Sequence, residues 1–289
     1  MDPANLDTTM GAMYIGVTCA GILYGVSCVQ MWLYYANYDD VWLLKSLVAA
    51  VFLCDSMNQA FIIHMLYKYL VMNFENPLEL GSLVWSLIIE VLFNSLVGLL
   101  VQSFFTYRIY RLSGKNVYLT CLVAALVLAE FGLSLAFTVE GMKMSTFTEL
   151  LSLRNLSRSV NALAAVGNVS IAISMVVLLR NTKTGLRRPD SIVNRLIIFS
   201  LNTGILTSLC AIFSLITISA FPGTLIYSAF FFVLGRVYAN SFMVALNVRR
   251  RLQKADVEEA YPIDSTHLTY IFDHSTKHDC TSEIISRHQ

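Results

Sequence analysis

Charge is scarce in this chain. Asp, Glu, Lys and Arg make up 13% of its 289 residues, against about 25% in an average soluble domain. Mean hydropathy is +0.62. A soluble protein of this length could not cover its surface with so little charge. The net charge of +1 leaves no basic excess for nucleic acid. Proline is also rare. Pro3, Pro77, Pro189, Pro222 and Pro262 all lie outside the long apolar stretches. Proline-kinked helices are thereby excluded, and with them a common route to the broken helices of transporters.

Of the six cysteines, Cys19, Cys28, Cys54, Cys121 and Cys210 sit inside apolar stretches, and Cys280 sits near the C-terminus. That pattern excludes a disulfide framework in exposed loops. The chain has no Ser-His-Asp set, HExxH, GxSxG or phosphate loop. His64 is the sole histidine within an apolar stretch. The expectation is therefore not an enzyme, with no cofactor and no metal site. His267, His274, His278 and His288 match no ligand spacing and read as part of a solvated tail.

Long apolar runs dominate the rest. They cover about Met10–Tyr35, Trp42–Leu66, Ser82–Tyr107, Val117–Val139, Val160–Leu179, Ile192–Ile218 and Leu225–Leu246, each roughly 20 to 27 residues. About 20 residues at roughly 1.5 Å each cross a hydrocarbon core of about 30 Å. The expected fold is all-α, a seven-transmembrane-helix bundle over residues 1–250. Residues 251–289 read as a cytoplasmic, disordered polar tail. The implied location is a multi-pass membrane protein of the plasma membrane or an endomembrane, with the lipid bilayer as its first partner.

Basic residues set the threading. With the N-terminus outside, Lys45, Arg108, Arg111, Lys115, Arg180, Lys183, Arg187, Arg188, Arg195, Arg249, Arg250, Arg251 and Lys254 fall on the inner side. Only Lys68, Lys143, Arg154 and Arg158 fall outside. The expectation is N-out and C-in, with the first stretch an uncleaved signal anchor. The inner loops then offer a place for a cytoplasmic partner. In the longest connection, Glu140–Ser159, the spacing of Phe147, Leu150, Leu151 and Arg154 predicts a short amphipathic interfacial helix. It carries a sequon at Asn155 close to the next span, where it reads as unused. A second sequon, at Asn168, lies inside a span and reads as silent.

Polar groups inside spans should face protein or water. Asp55, Asn58 and Gln59 share a face of the second span, and Glu90, Asn94 and Gln102 recur along the third. The fourth has Glu130. Asn161 and Asn168 lie a heptad apart on the fifth. Ser200, Thr203, Thr207, Cys210, Ser214 and Thr217 form a stripe on the sixth, and Arg236, Asn240 and Asn247 lie on the seventh. The stripe, Asn161 and Asn168 read first as packing positions, as does the GxxxG of Gly21 and Gly25.

Arg236 and Asp55 lie about 11 and 13 residues from the inner ends of their spans, a depth difference of only a few ångströms. An intramembrane ion pair between them is expected, with Glu90 or Glu130 the competing partner for Arg236. The candidate cavity-lining residues are Asn58, Gln59, Glu90, Asn94, Glu130, Asn168, Thr203, Thr207 and Asn240.

Family signatures narrow the class. Tyr107-Arg108 lacks the preceding acid of a G-protein-coupled receptor, and Asn240-Ser241-Phe242 lacks its proline. Arg236 stands where a retinal protein would need a lysine, and Arg does not deprotonate. Other segments carry a closer likeness. They are Lys183-Thr184-Gly185, Asp190 through Leu196, Asn202 through Ser208, Tyr238-Ala239-Asn240-Ser241 and Leu246-Asn247-Val248-Arg249. Upstream are Leu23-Tyr24-Gly25 and Val101-Gln102-Ser103-Phe104-Phe105. Over about residues 10–251 the chain resembles a family of uncharacterised fungal, mainly basidiomycete, seven-helix membrane proteins. Residues 166–251 resemble that family's C-terminal domain of unknown function. The family pattern usually has an acid at Asn168 and often Lys at Arg236. The resemblance implies a fold and a membrane location, and no activity.

The functional expectation is a receptor-like or sensor-like protein that binds a small ligand within the bundle. The alternatives are a small-solute or ion transporter and a ligand-free membrane scaffold.

Overall fold

In the computed structural model the described residues are helical almost throughout. The structure describes residues 7–73, 81–182, 190–221 and 224–260, without the side chains of 7–8, 181–203 and 249–260. The helices are α1 (Ala12–Asn37), α2 (Trp42–Tyr67), α3 (Trp85–Leu112), α4 (Val117–Gly141), α5 (Phe147–Leu150), α6 (Arg154–Thr182), α7 (Asp190–Ala220) and α8 (Ile226–Ala260). Single π-helical turns precede α1 (Asp7–Gly11) and follow α2 (Lys68–Met72). Six of the described helices are long and apolar enough to cross a membrane, and the Gly204–Ala220 part of α7 is apolar as well. Hydrocarbon offers no partner for backbone N–H and C=O groups, so an apolar run there closes its bonds within a helix. Ile15, Ile22, Leu53, Ile63, Leu122, Leu128, Val166 and Ile173 all point outward and stay exposed. Such a continuous apolar exterior suits lipid rather than water. The molecule is a multi-pass helical membrane protein.

The ends of the helices follow local chemistry. Gly114 and Lys115 take positive φ values of 65° and 68° after α3, and Lys115 N–H closes on the Tyr110 carbonyl at 3.1 Å. This left-handed reversal satisfies carbonyls orphaned at the end of a helix. Asn116 then caps α4 by accepting from Leu119 N–H at 3.3 Å. At α5, Thr146 accepts from Glu149 N–H at 3.3 Å while Glu149 accepts from Ser145 N–H at 2.9 Å, close to a capping box.

The Glu140–Ser159 connection departs from the expected interfacial helix. Glu140 and Gly141 end α4, α5 is four residues long, a 3-10 turn follows at Leu151–Leu153, and α6 begins at Arg154. The fifth span therefore starts before Val160, and the Asn155 sequon lies in its first turn. The polar residues there hide a helix from hydropathy, but they pose no obstacle to a helix emerging at a membrane surface. The GxxxG reading also needs correction. A Cβ on Gly25 would meet nothing within 4 Å, and one on Gly21 would meet only Gln59 Nε2 at 3.6 Å. The close backbone approach is at Gly16, where a Cβ would lie 2.6 Å from Ala229 Cα.

The chain divides into two compact units, Met1–Asn247 and Val248–Gln289. In the second, helix continues through the Arg triplet to Ala260. Its residues are good helix formers and no Gly or Pro interrupts them before Pro262. Residues 261–289, with the four tail histidines, lie outside the described residues.

Within the first unit, two apolar clusters enclose a polar belt. One cluster, at the end where α1 starts, includes Met13, Ile62, Met65, Leu87 and Phe232. The other, toward the opposite end, includes Tyr34, Val51, Val101, Phe105, Phe242 and Met243. Between them, in chain order on α2 and α3, lie Asp55, Asn58, Glu90 and Asn94, while Arg236 on α8 sits between Leu234 and Val237 of the second cluster, and all five are buried. α1 and α8 run parallel across all three layers. Asn240 Nδ2 donates to the Leu23 carbonyl at 2.9 Å, and one heptad further on Asn247 Nδ2 donates to the Gln30 carbonyl at 2.9 Å. Each carbonyl has a second lone pair for such a bond.

Candidate functional site

The belt is organised around Arg236, which is fully buried on α8. Its Nη1 forms an ion pair with Asp55 Oδ1 of α2 and donates to the Asp55 main-chain carbonyl at 2.6 Å. Its Nη2 donates to Asn58 Oδ1 at 2.7 Å. The guanidinium carbon also lies 5.7 Å from the centre of the Tyr24 ring of α1, in cation-π range. One side chain thus ties α8 to α1 and α2. Asn58 extends the network, its Nδ2 donating to the carbonyl of Glu90 at 3.2 Å and to Glu90 Oε1 at 3.3 Å. On α3, Asn94 donates to the Phe231 carbonyl at 3.1 Å. Gly235 passes so close to the Asn94 side-chain oxygen that a Cβ there would collide with it.

A second polar group lies among α3, α4, α6 and α8. Gln102 Nε2 faces Glu130 Oε2 at 3.0 Å, Tyr238 Oη at 3.2 Å and Asn168 Oδ1 at 3.3 Å. Asn168 Nδ2 lies 2.7 Å from Tyr238 Oη, which in turn is 3.0 Å from Asn168 Oδ1. Three helices meet on one tyrosine hydroxyl, and Gln102 links the group to Glu130 of α4.

The expected residues thus divide by position. Asp55 and Arg236 meet, with Asn58 and Glu90 beside them. Asn240 donates to the Arg236 carbonyl at 2.9 Å as well as to Leu23. Glu130 and Asn168 meet Gln102 instead and do not reach Arg236. Gln59 is buried next to Gly21. Thr207 bonds the Gly204 carbonyl of its own helix at 3.2 Å. The Thr203 side chain lies outside the described residues.

Two adjoining cavities open the bundle at the end where α1 starts. The larger, about 170 Å³, lies beneath α5 and the 3-10 turn, against Phe147, Leu151 and Arg154. The smaller, about 50 Å³, reaches inward to Glu90 and Asn161. Phe137, Leu150, Ser157, Leu225 and Tyr227 line both. The roof is pinned. Leu83 N–H donates to the Ser145 carbonyl at 2.8 Å, and the Tyr69 hydroxyl bridges the Ser82 carbonyl at 2.9 Å and Val84 N–H at 3.1 Å.

At the inner wall, Glu90 is 1% exposed and Asn161 2%. Among the described residues no donor reaches Glu90 Oε2 or Asn161 Oδ1. Buried acceptors are normally bonded, and of the unbonded buried side-chain atoms among the described residues these two belong to residues that line the smaller cavity. Asn161 and Tyr238 were missed as site residues by sequence. Asn161 resembles any packing asparagine, and a tyrosine in an apolar span resembles core. The one usable signal was the heptad from Asn161 to Asn168.

Residues 164–251 match DUF6534, a family of unknown function, close to the 166–251 expected from the motifs. The matched segment contains Asn168, Thr207, Arg236, Tyr238 and Asn240 but not Asp55, Glu90 or Glu130. No curated protein and no solved structure matches the chain.

Proposed function

We propose that the protein is a receptor-like or sensor-like seven-span membrane protein, N-terminus outside, that binds a small and mostly apolar ligand in the paired cavities. The observation that carries this reading is their joint form. A roofed apolar space leads to two buried, unsatisfied acceptors at its inner end. Ligand sites combine apolar walls with a few convergent polar groups in this way. The excess of basic residues on the opposite side supports the N-out threading and turns the roof outward. The seventh span is proposed from the apolar run Ile192–Ile218, whose Gly204–Ala220 part is an apolar helix. Transport is the weaker reading, because in the opposite half Val101, Phe105, Phe242 and Met243 pack into a buried cluster with only a small cavity of about 30 Å³ beside it.

The test is a thermal-stability screen of small apolar compounds on the protein in lipid nanodiscs. Compounds that occupy the cavities raise the melting midpoint in proportion to the logarithm of their concentration. Ser157→Phe, which fills the shared passage, should abolish the shift while the protein still melts cooperatively. Shifts of equal size in the variant and the parent would sink the reading.

A further inference from the structure

We infer that the ligand class is a lipophilic amine, an ammonium group on a compact apolar body, with the ammonium held by Glu90 and Asn161. The inference rests on the ligand-binding reading above and assigns the chemistry of that site.

The inner wall presents acceptors. Asn161 uses its Nδ2 on the Ser157 carbonyl at 2.9 Å, which leaves Oδ1 as the atom without a donor. Glu90 accepts from Asn58 through Oε1, and Oε2 is without a donor among the described residues. Two acceptors select a donor head group over an ether, ketone or hydrocarbon.

Charge selects among donors. The belt holds two carboxyl groups, on Asp55 and Glu90, and one guanidinium. That guanidinium is committed to Asp55 and Asn58 through both terminal nitrogens. Glu90 receives only a neutral amide N–H, and Arg236 acts on it through space without bonding it. An ammonium at Oε2 would bring a full positive charge into contact with the Glu90 carboxyl and donate a second N–H to Asn161 Oδ1. An alcohol supplies one neutral donor. The remaining lining is mainly apolar, with Leu87, Val91, Phe137, Leu225 and Phe232 beside the hydroxyl residues Ser157, Tyr227 and Ser228, and accommodates the apolar part of the ligand.

The experiment compares three molecules of nearly equal size: phenethylamine, 2-phenylethanol and ethylbenzene. Each is titrated at pH 7 against the protein in nanodiscs, with the melting midpoint and saturation binding of radiolabelled phenethylamine as readouts. Phenethylamine is expected to bind roughly tenfold or more tightly than the alcohol, and the alcohol more tightly than the hydrocarbon. Glu90→Gln keeps the acceptor for Asn58 and removes the charge. It should erase the preference for amine over alcohol while ethylbenzene binding stays unchanged. Asn161→Leu, which leaves Glu90 intact, should weaken the amine severalfold and serves as a second reporter if Glu90→Gln yields little folded protein.

Equal binding of all three molecules, unaffected by either variant, overturns the amine assignment and marks the space as a site for hydrocarbon or lipid acyl chains. Equal binding of amine and alcohol, with both lost together in Asn161→Leu, overturns it in favour of a neutral hydroxyl ligand. In both cases the ligand-binding reading survives. No binding by any of the three, with Ser157→Phe and the parent alike across the wider screen, overturns both readings.

Discussion

Arg236 of α8 holds Asp55 of α2 twice, once at the carboxylate and once at the main-chain carbonyl. A double contact of this kind fixes the helix backbone as well as the side chain. Both side chains are almost wholly withdrawn from solvent, at 1% and 2% exposure. Removing one partner of such a pair typically costs about 3–5 kcal/mol, because the other charge is left buried and uncompensated.

Arg236→Gln and Asp55→Asn should therefore each lower the melting midpoint strongly and reduce folded yield in detergent. The double variant should recover much of the loss, with a coupling energy on the order of 1 kcal/mol or more. Strict additivity would show that the charges act independently. Rescue of Arg236→Gln by Glu90→Gln rather than by Asp55→Asn would move the dominant partner to α3.

Depth along the spans was legible from sequence because hydropathy fixes where each helix enters the membrane. That is enough to bring Asp55 and Arg236 to one level. It does not say which helices are neighbours. The grouping of Gln102, Glu130, Asn168 and Tyr238 depends on α3, α4, α6 and α8 facing one another, and no spacing within a helix encodes that. Close approach was misread for a related reason. GxxxG at Gly21 and Gly25 is a pattern in one helix, whereas Gly16 matters because Ala229 lies opposite it on another. Polar residues also misled. Asn155, Ser157 and Arg158 look like loop by hydropathy, yet they form the first turns of α6.

The glycine contrast is directly testable. Gly16→Ala places a methyl group against the backbone of Ala229, which cannot move aside as a flexible side chain would. α1 and α8 must separate, at a cost of about 1–3 kcal/mol for overpacking. Gly25→Ala adds a methyl to open space on the outer surface and should be neutral or slightly stabilising. Melting midpoints of the two variants in the same nanodiscs decide it. A larger loss for Gly25→Ala would restore the GxxxG pair as an interface.

The tyrosine hub makes a different prediction. Tyr238→Phe removes only a hydroxyl, but that atom serves both Asn168 and Gln102. Leaving buried amide groups short of a partner costs about 1–3 kcal/mol. Adding Asn168→Leu to Tyr238→Phe should cost less than the sum of the single changes, since one removed group no longer needs the other. Additive losses, measured by denaturant or thermal titration, would mean that the hydroxyl and the amide are satisfied separately.

Threading decides which side of the membrane can reach the cavities. The roof over them is built from Phe147–Leu150 and Leu151–Leu153, at the same end of the bundle as the start of α1. The ends of α3, α4 and α6 away from the roof carry Arg108, Arg111, Lys115 and Arg180, the sequence after Asn247 carries the Arg249–Arg251 triplet, and basic residues favour the cytoplasmic face. A tag at Met1 should therefore be cleaved by protease added to intact cells, and a tag at Gln289 should be protected. A cysteine placed at exposed Thr148 should react with a membrane-impermeant thiol reagent from outside. One at Lys115, in the α3–α4 turn, should react only after permeabilisation. The reverse pattern at all four positions would turn the roof toward the cytosol. The cavities would then open to the cytosol, and the proposed external sensing role would be lost even if they bind small molecules.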